Sequence, residues 1–219
     1  MTGGDTPAGR APRGRRVTVV LAVLVLIVAA VLVAISALRS GRPGDDGPEA
    51  GFARDMSVHH AQAVRMSFIV RDRTEDERVR LLAYDIINTQ SAQIGMMTAW
   101  LDEWELPKTD PAGPMRWMKG HGGHGGSGAA PPGGTAAMPG MATREQLDRL
   151  EKASGRDAEV RFLQLMITHH RAGVAMARAV LERTDHARVR ALARTMVNGQ
   201  ESEITLMTDM LRQRGSAPV

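Results

Sequence analysis

Three features predict an all-α protein, a four-helix bundle made of two repeated helical hairpins preceded by one transmembrane helix. They are an uncharged apolar run near the N-terminus, a repeat at an offset of 110 residues, and apolar spacing of three and four within each repeat. Composition agrees: aromatic residues make up only 3% of the chain. Ala, Leu, Val and Met dominate outside a few Pro/Gly stretches, which favours helices over strands. A length of 219 residues allows one compact domain with extensions.

The apolar run, Val17 to Leu38, contains 22 residues without a charge, Pro or Gly. That exceeds the roughly 20 needed to cross a bilayer and the shorter apolar core of a cleaved signal peptide, so an uncleaved anchor is expected. Cleavage would make the remaining domain a secreted one. Arg10, Arg13, Arg15 and Arg16 precede the run, and Asp45, Asp46 and Glu49 follow it. This asymmetry places the N-terminus in the cytoplasm and the C-terminal domain outside the cell membrane. The same arginines supply most of the net charge of +4, so no basic patch is left on the folded part and nucleic acid is not an expected partner. The chain divides into a basic tail (1–16), the span (17–38), a Gly/Pro/Asp linker (39–50), a first repeat (51–105), a Gly/Pro/His/Met-rich loop (106–142), and a short helix with the second repeat (143–215).

The repeat sets the architecture. FARDMSVHHAQAVRM, Phe52 to Met66, overlies FLQLMITHHRAGVAM, Phe162 to Met176, without a gap, and Asn88, Gln90, Ile94, Met97 and Leu101 overlie Asn198, Gln200, Ile204, Met207 and Leu211. Each unit reads as two helices joined at RDRTED or ERTDHA, at about 50–71 and 76–104, then 157–182 and 186–213. Neither hairpin can bury its apolar stripe alone, and packing the two together solves this. The loop from Leu106 to Met141 is too rich in Pro and Gly for regular structure and is expected to be mobile. Thr143 with Gln146 forms a capping box that opens a short helix, with Leu147 and Leu150 facing the bundle.

With no cysteine, any metal chemistry must use the 7 histidines, the 14 methionines or carboxylates. At 100° per residue Met56, His59, His60 and Met66 share the inward stripe of one helix, as Met166, His169, His170 and Met176 do in the other. A lone buried His is most simply a satisfied core group, and a Met at helical spacing a gap filler. Here a consecutive His pair occurs twice between methionines, with no carboxylate on its own face, and a cation would satisfy several imidazoles at once. His59 and Met66 lie about 10 Å apart along the helix axis, so ligands from another helix are needed. Met97 and Met207, with Met96 beside the first, are the candidates.

Imidazole and thioether suit Cu(I) best, and other soft or borderline metals fit less closely. The Glu-x-x-His pairs of carboxylate-bridged di-iron bundles are absent, as are the His-Glu-x-x-His zinc motif and the Gly-x-Ser-x-Gly elbow, so no enzyme activity is expected. In the loop, Met115, Met118, His121, His124, Met138 and Met141 form a His/Met tract able to collect metal from solution.

The segment Gly140 to Ala177, GMATREQLDRLEKASGRDAEVRFLQLMITHHRAGVAMA, with its short leading helix, Ala-Ser-Gly turn and Phe-Leu-x-x-Met-Ile-x-His-His, resembles the bacterial domain of unknown function 305 family (DUF305). Phe52 to Leu101 resembles a more divergent copy. The resemblance implies a ferritin-like helical fold and, from members implicated in copper binding or tolerance, the eight His and Met residues of the two stripes as candidate ligands. The expected function is therefore a membrane-anchored, extracytoplasmic metal binder that buffers, delivers or gives tolerance to Cu(I), with the metal ion and the membrane as partners. The competing expectation is a non-catalytic helical interaction or signalling module with a structural His/Met core.

Overall fold

The computed structural model of the protein describes residues 20–31, 42–118 and 138–219. Among them residues 20–31 form a helix (α1) inside the predicted span, with exposed apolar side chains; the rest of that span lies outside the described residues. No helix among the described residues is long and apolar enough to cross a membrane. Pro43–Val219 forms a separate compact unit.

That unit is all-helical, consisting of α2 (Pro48–Arg71), α3 (Glu77–Glu103), a short 3-10 turn (Arg116–Met118), α4 (Arg144–Lys152), α5 (Gly155–Leu181) and α6 (Ala187–Gln213). The helices follow from local chemistry. Pro48 opens α2 at a position where its missing N–H costs nothing. Asp76 caps α3 by accepting from the Val79 amide at 3.0 Å. Thr143 and Gln146 form the expected capping box of α4, with bonds of 3.1 and 2.7 Å.

The two hairpins, α2/α3 and α5/α6, meet chiefly through α2 and α5. The core has two ends. One gathers Met66 of α2, Ile86 of α3, Phe162 and Met166 of α5, and Met207 of α6, and receives Leu147 and Leu150 of α4. The other gathers Phe52 and Met56 of α2, Met97 of α3, Met176 of α5, and Met196 of α6. Because the start of α2 lies with the end of α5 and the reverse, the central helices are antiparallel. The repeats are thus related by an approximate two-fold axis across the bundle.

Both inter-helix turns obey that axis. Thr74 accepts from the Asp76 amide at 3.0 Å and donates to Glu159 of the other repeat at 2.5 Å. Its counterpart Thr184 accepts from the His186 amide at 3.0 Å and donates to Glu49. Each repeat therefore stitches its turn to the first turn of the other repeat's helix.

The described parts of the 106–142 loop lie on the bundle, where sequence predicted a mobile connection. Asp55 of α2 accepts from the Met115 amide and the Trp117 indole N–H, both at 2.8 Å, and Trp117 packs edge-on against Phe52 at 6.0 Å. A side chain on Gly51 would run into that indole. Buried acceptors and an aromatic contact hold a stretch whose Pro/Gly content alone indicates freedom. His121 and His124 lie outside the described residues.

Phe162 is fully buried in one end of the core. Phe162→Ala is expected to lower stability by about 3–5 kcal/mol in urea unfolding followed by circular dichroism. A loss below about 1 kcal/mol would contradict a closed core at this end.

Candidate metal centre

The two core ends are separated by the histidines. His59 and His60 of α2 and His169 and His170 of α5 are all buried, none more than 1% exposed. His59 and His169 stack across the two-fold axis, with ring centroids 3.7 Å apart and planes at 28°. His60 and His170 turn toward the outer helices of their own hairpins. His60 Nε2–H donates to Gln93 Oε1 of α3 at 2.7 Å, and His170 Nε2–H donates to Glu203 Oε2 of α6 at 2.6 Å. His169 Nε2–H donates to the His59 carbonyl at 2.9 Å.

These bonds fix the tautomers. An oxygen acceptor at Nε2 puts the proton there and leaves the Nδ1 lone pair free, and Nδ1 of His60, His169 and His170 has no partner. At His59 neither ring nitrogen is hydrogen-bonded. This is how proteins prepare a histidine to hold a metal, with one nitrogen fixed by an oxygen and the other presented. The sequence shows no carboxylate on the histidines' own helix faces, and for three of the four a partner arrives from another element. Gln93 and Glu203 were missed because they lie 33 residues away on other helices. Only their matching position in the two repeats could have flagged them.

Burial sets the protonation. Loss of hydration, then the nearby His170, lowers the His59 pKa from 6.5 to about 4, while the Pro139 backbone opposes the shift. Loss of hydration, then His59, lowers that of His60 to about 3, against the Gln93 bond. His169 is pushed well below its usual value, again by burial first and then by His59. All three are neutral at physiological pH, the form that binds metals.

The predicted methionines divide between the ends of the centre. Met56, Met97 and Met176 fall in one cluster, and Met66, Met166 and Met207 in the other, each trio drawing on both repeats. Met56 and Met66 therefore serve opposite ends, and Met96 is half-exposed, outside the core. Gln90 and Gln200 are buried with an unpartnered amide oxygen each. Gly173 makes room for Gln200, since a side chain there would overlap its amide. Among the described residues no three His, Asp or Glu side chains are gathered as a ready metal cage, so full coordination must recruit thioether sulphur or rearrangement. The donor set fits a soft cation better than a hard one.

Comparison with known proteins places the chain. The profile of the domain of unknown function DUF305 matches residues 49–211. A crystal structure of a DUF305 protein of Streptomyces coelicolor, described as secreted, is 50% identical with a TM-score of 0.72, covering 80% of this chain and 99% of that one. A DUF305 fragment from Deinococcus radiodurans is 31% identical with a TM-score of 0.61, covering 76% and 96%. CopM in its Cu(I)-bound form shares the fold at 22% identity and a TM-score of 0.57, covering 75% and 96%. Uncharacterized protein L153 of Acanthamoeba polyphaga mimivirus is 40% identical over 55 residues, only 36% of its own length.

A pH dependence follows from the burial. Unfolded histidines take a proton near 6.5, whereas His59 and His60 resist until about 4 and about 3. Between those values the unfolded chain binds more protons, so stability is full above about pH 6.5 and falls as pH drops from there, by up to about 1.4 kcal/mol per pH unit per histidine. Urea midpoints of the metal-free protein across this range measure the effect, and His60→Gln is expected to remove its share of the slope. An unchanged slope would contradict a buried neutral His60. With its profile matching residues 49–211 and a relative 50% identical over nearly its whole length, this chain belongs to the DUF305 family.

Proposed function

We propose that this protein is a membrane-anchored, extracytoplasmic copper binder that holds Cu(I) in its His/Met core and buffers or delivers it without catalysing a reaction. The observation that carries this reading is the set of five unpartnered ring nitrogens on four buried histidines. Leaving such groups unmet in a core costs on the order of 1–3 kcal/mol each, and a bound cation removes that cost. Thioether trios on either side supply donors that favour Cu(I) over harder ions. Solved structures of CopM in Cu(I)-, Cu(II)- and Ag-bound forms, on the same fold, are consistent with it. The anchor rests on the uncharged run Val17 to Leu38, and the outward placement on the arginines before it together with the secreted description of the Streptomyces relative.

A second reading, a helical interaction module, draws on one feature. Phe68, Leu81 and Tyr84 are more than half exposed on the first repeat, where the second carries Arg178, Ala191 and Arg194. The test between the two is Cu(I) titration of the full-length protein in detergent against a competing chelator, beside a variant with His59, His60, His169 and His170 replaced by Ala. Tight stoichiometric binding by the parent, lost in a variant that keeps its helical circular dichroism, is expected. Equal binding by the variant would move copper out of the core and favour the interaction module.

A further inference from the structure

Residues Met138-Pro139-Gly140-Met141 form a tight turn on the outer side of the α2–α5 contact. The Met141 amide donates to the Met138 carbonyl at 3.3 Å, Pro139 occupies the first central position, and Gly140 has φ +74° at the second. Pro then Gly with a left-handed Gly is the type II pattern, in which the first and last residues lie within about 7 Å of each other at Cα. The turn therefore brings the Met138 and Met141 backbones close together, and both residues line one cleft.

Contacts to both central helices seat this turn over the histidines. A side chain on Gly140 would meet the Thr168 carbonyl at 2.9 Å, His169 Cα at 3.3 Å and, closer still, Ala172. Glycine is what lets the backbone lie directly on α5 beside His169. On the α2 side, Gln62 grips the next residue with both ends of its amide, accepting from the Ala142 amide at 2.7 Å and donating to its carbonyl at 2.9 Å. The Pro139 backbone faces the His59 ring.

Met138 is only 8% exposed, yet neither it nor Met141 belongs to either apolar core cluster. Both instead line a surface cleft of about 450 Å³ with Val58, Gln62 and Pro114. Asp55 and Asp110 on the cleft wall are balanced by Arg54 and Lys108, so charge gives it little preference among cations. Selection is left to sulphur, which prefers soft monovalent ions.

We infer that the Met138–Met141 turn is the capture station of the protein, where two thioethers take a soft monovalent cation from solution and pass it by ligand exchange to His59 beneath. This rests on the copper reading of the core and adds to it a point of entry. No electron or proton needs to move, since a neutral imidazole replaces a neutral thioether.

The experiment uses the full-length protein in detergent with 13C-methyl methionine, titrated with Ag(I) as silver nitrate, beside a Met138→Leu/Met141→Leu variant. These swaps conserve volume and are expected to leave folding intact. The Met138 and Met141 methyl resonances of the parent are expected to shift at the first additions. The variant is expected to take up Ag(I) on the order of tenfold more slowly, the scale seen when a supporting group of a metal site is lost, with the final occupancy unchanged. Parent and variant rates that coincide, or methyl signals that stay in place, would overturn the capture role while leaving core binding intact. Loss of final occupancy in the variant would also overturn it, because the thioethers would then be resident ligands. If the parent takes up no Ag(I), this inference and the copper reading fall together.

Discussion

The contact between α2 and α5, with its two stacked imidazoles, is the constraint around which the domain is arranged. Placing four histidines in one core requires that their polar atoms be met, and burial keeps His59, His60 and His169 neutral. Gln93 and Glu203 descend from the outer helices to fix two of them, the His59 carbonyl fixes a third, and Gly173 gives up a side chain so that Gln200 can approach. What remains are ring nitrogens without partners in a core whose two ends each gather methionines. Apolar residues of similar volume would be less costly there.

Duplication explains the economy of the arrangement. One hairpin, used twice about an approximate two-fold axis, yields both methionine trios, both histidine pairs and both Thr–Glu stitches at the turns. The departures from symmetry are informative. Where one repeat places the Gln93 amide oxygen on its histidine, the other places a carboxylate oxygen, Glu203. At the bundle ends Asp76 pairs with Arg214 at 2.8 Å, while the matching positions hold His186 and Trp104 packed edge to face at 5.4 Å. The two halves are thus alike in backbone and different in chemistry.

The connection between the repeats is the third element. Its described parts are fastened to α2 through Asp55 and Gln62, which stand one turn before and one turn after His59 on that helix. One side of α2 therefore carries both His59 of the candidate centre and the residues that fasten the connection beside it. This makes α2 the structural link between the solvent side of the protein and its core.

Much of this was written in the one-dimensional pattern. Spacing of three and four, a gapless offset between two His-His pairs and the Thr143 capping box were enough for four long helices, their ends to within about two residues, and the inward direction of the stripe, because helix geometry maps residue number directly onto a face. Which side chains meet across helices is not local information. The His59–His169 stack, the hydrogen bonds from Gln93 and Glu203, the division of Met56 from Met66, and the seating of Gly140 against α5 join residues between 10 and about 110 positions apart. Sequence determined what each helix could offer to the core. Only the packing of one hairpin against its copy decided which nitrogen stays free, because that depends on the oxygen that arrives from the other elements.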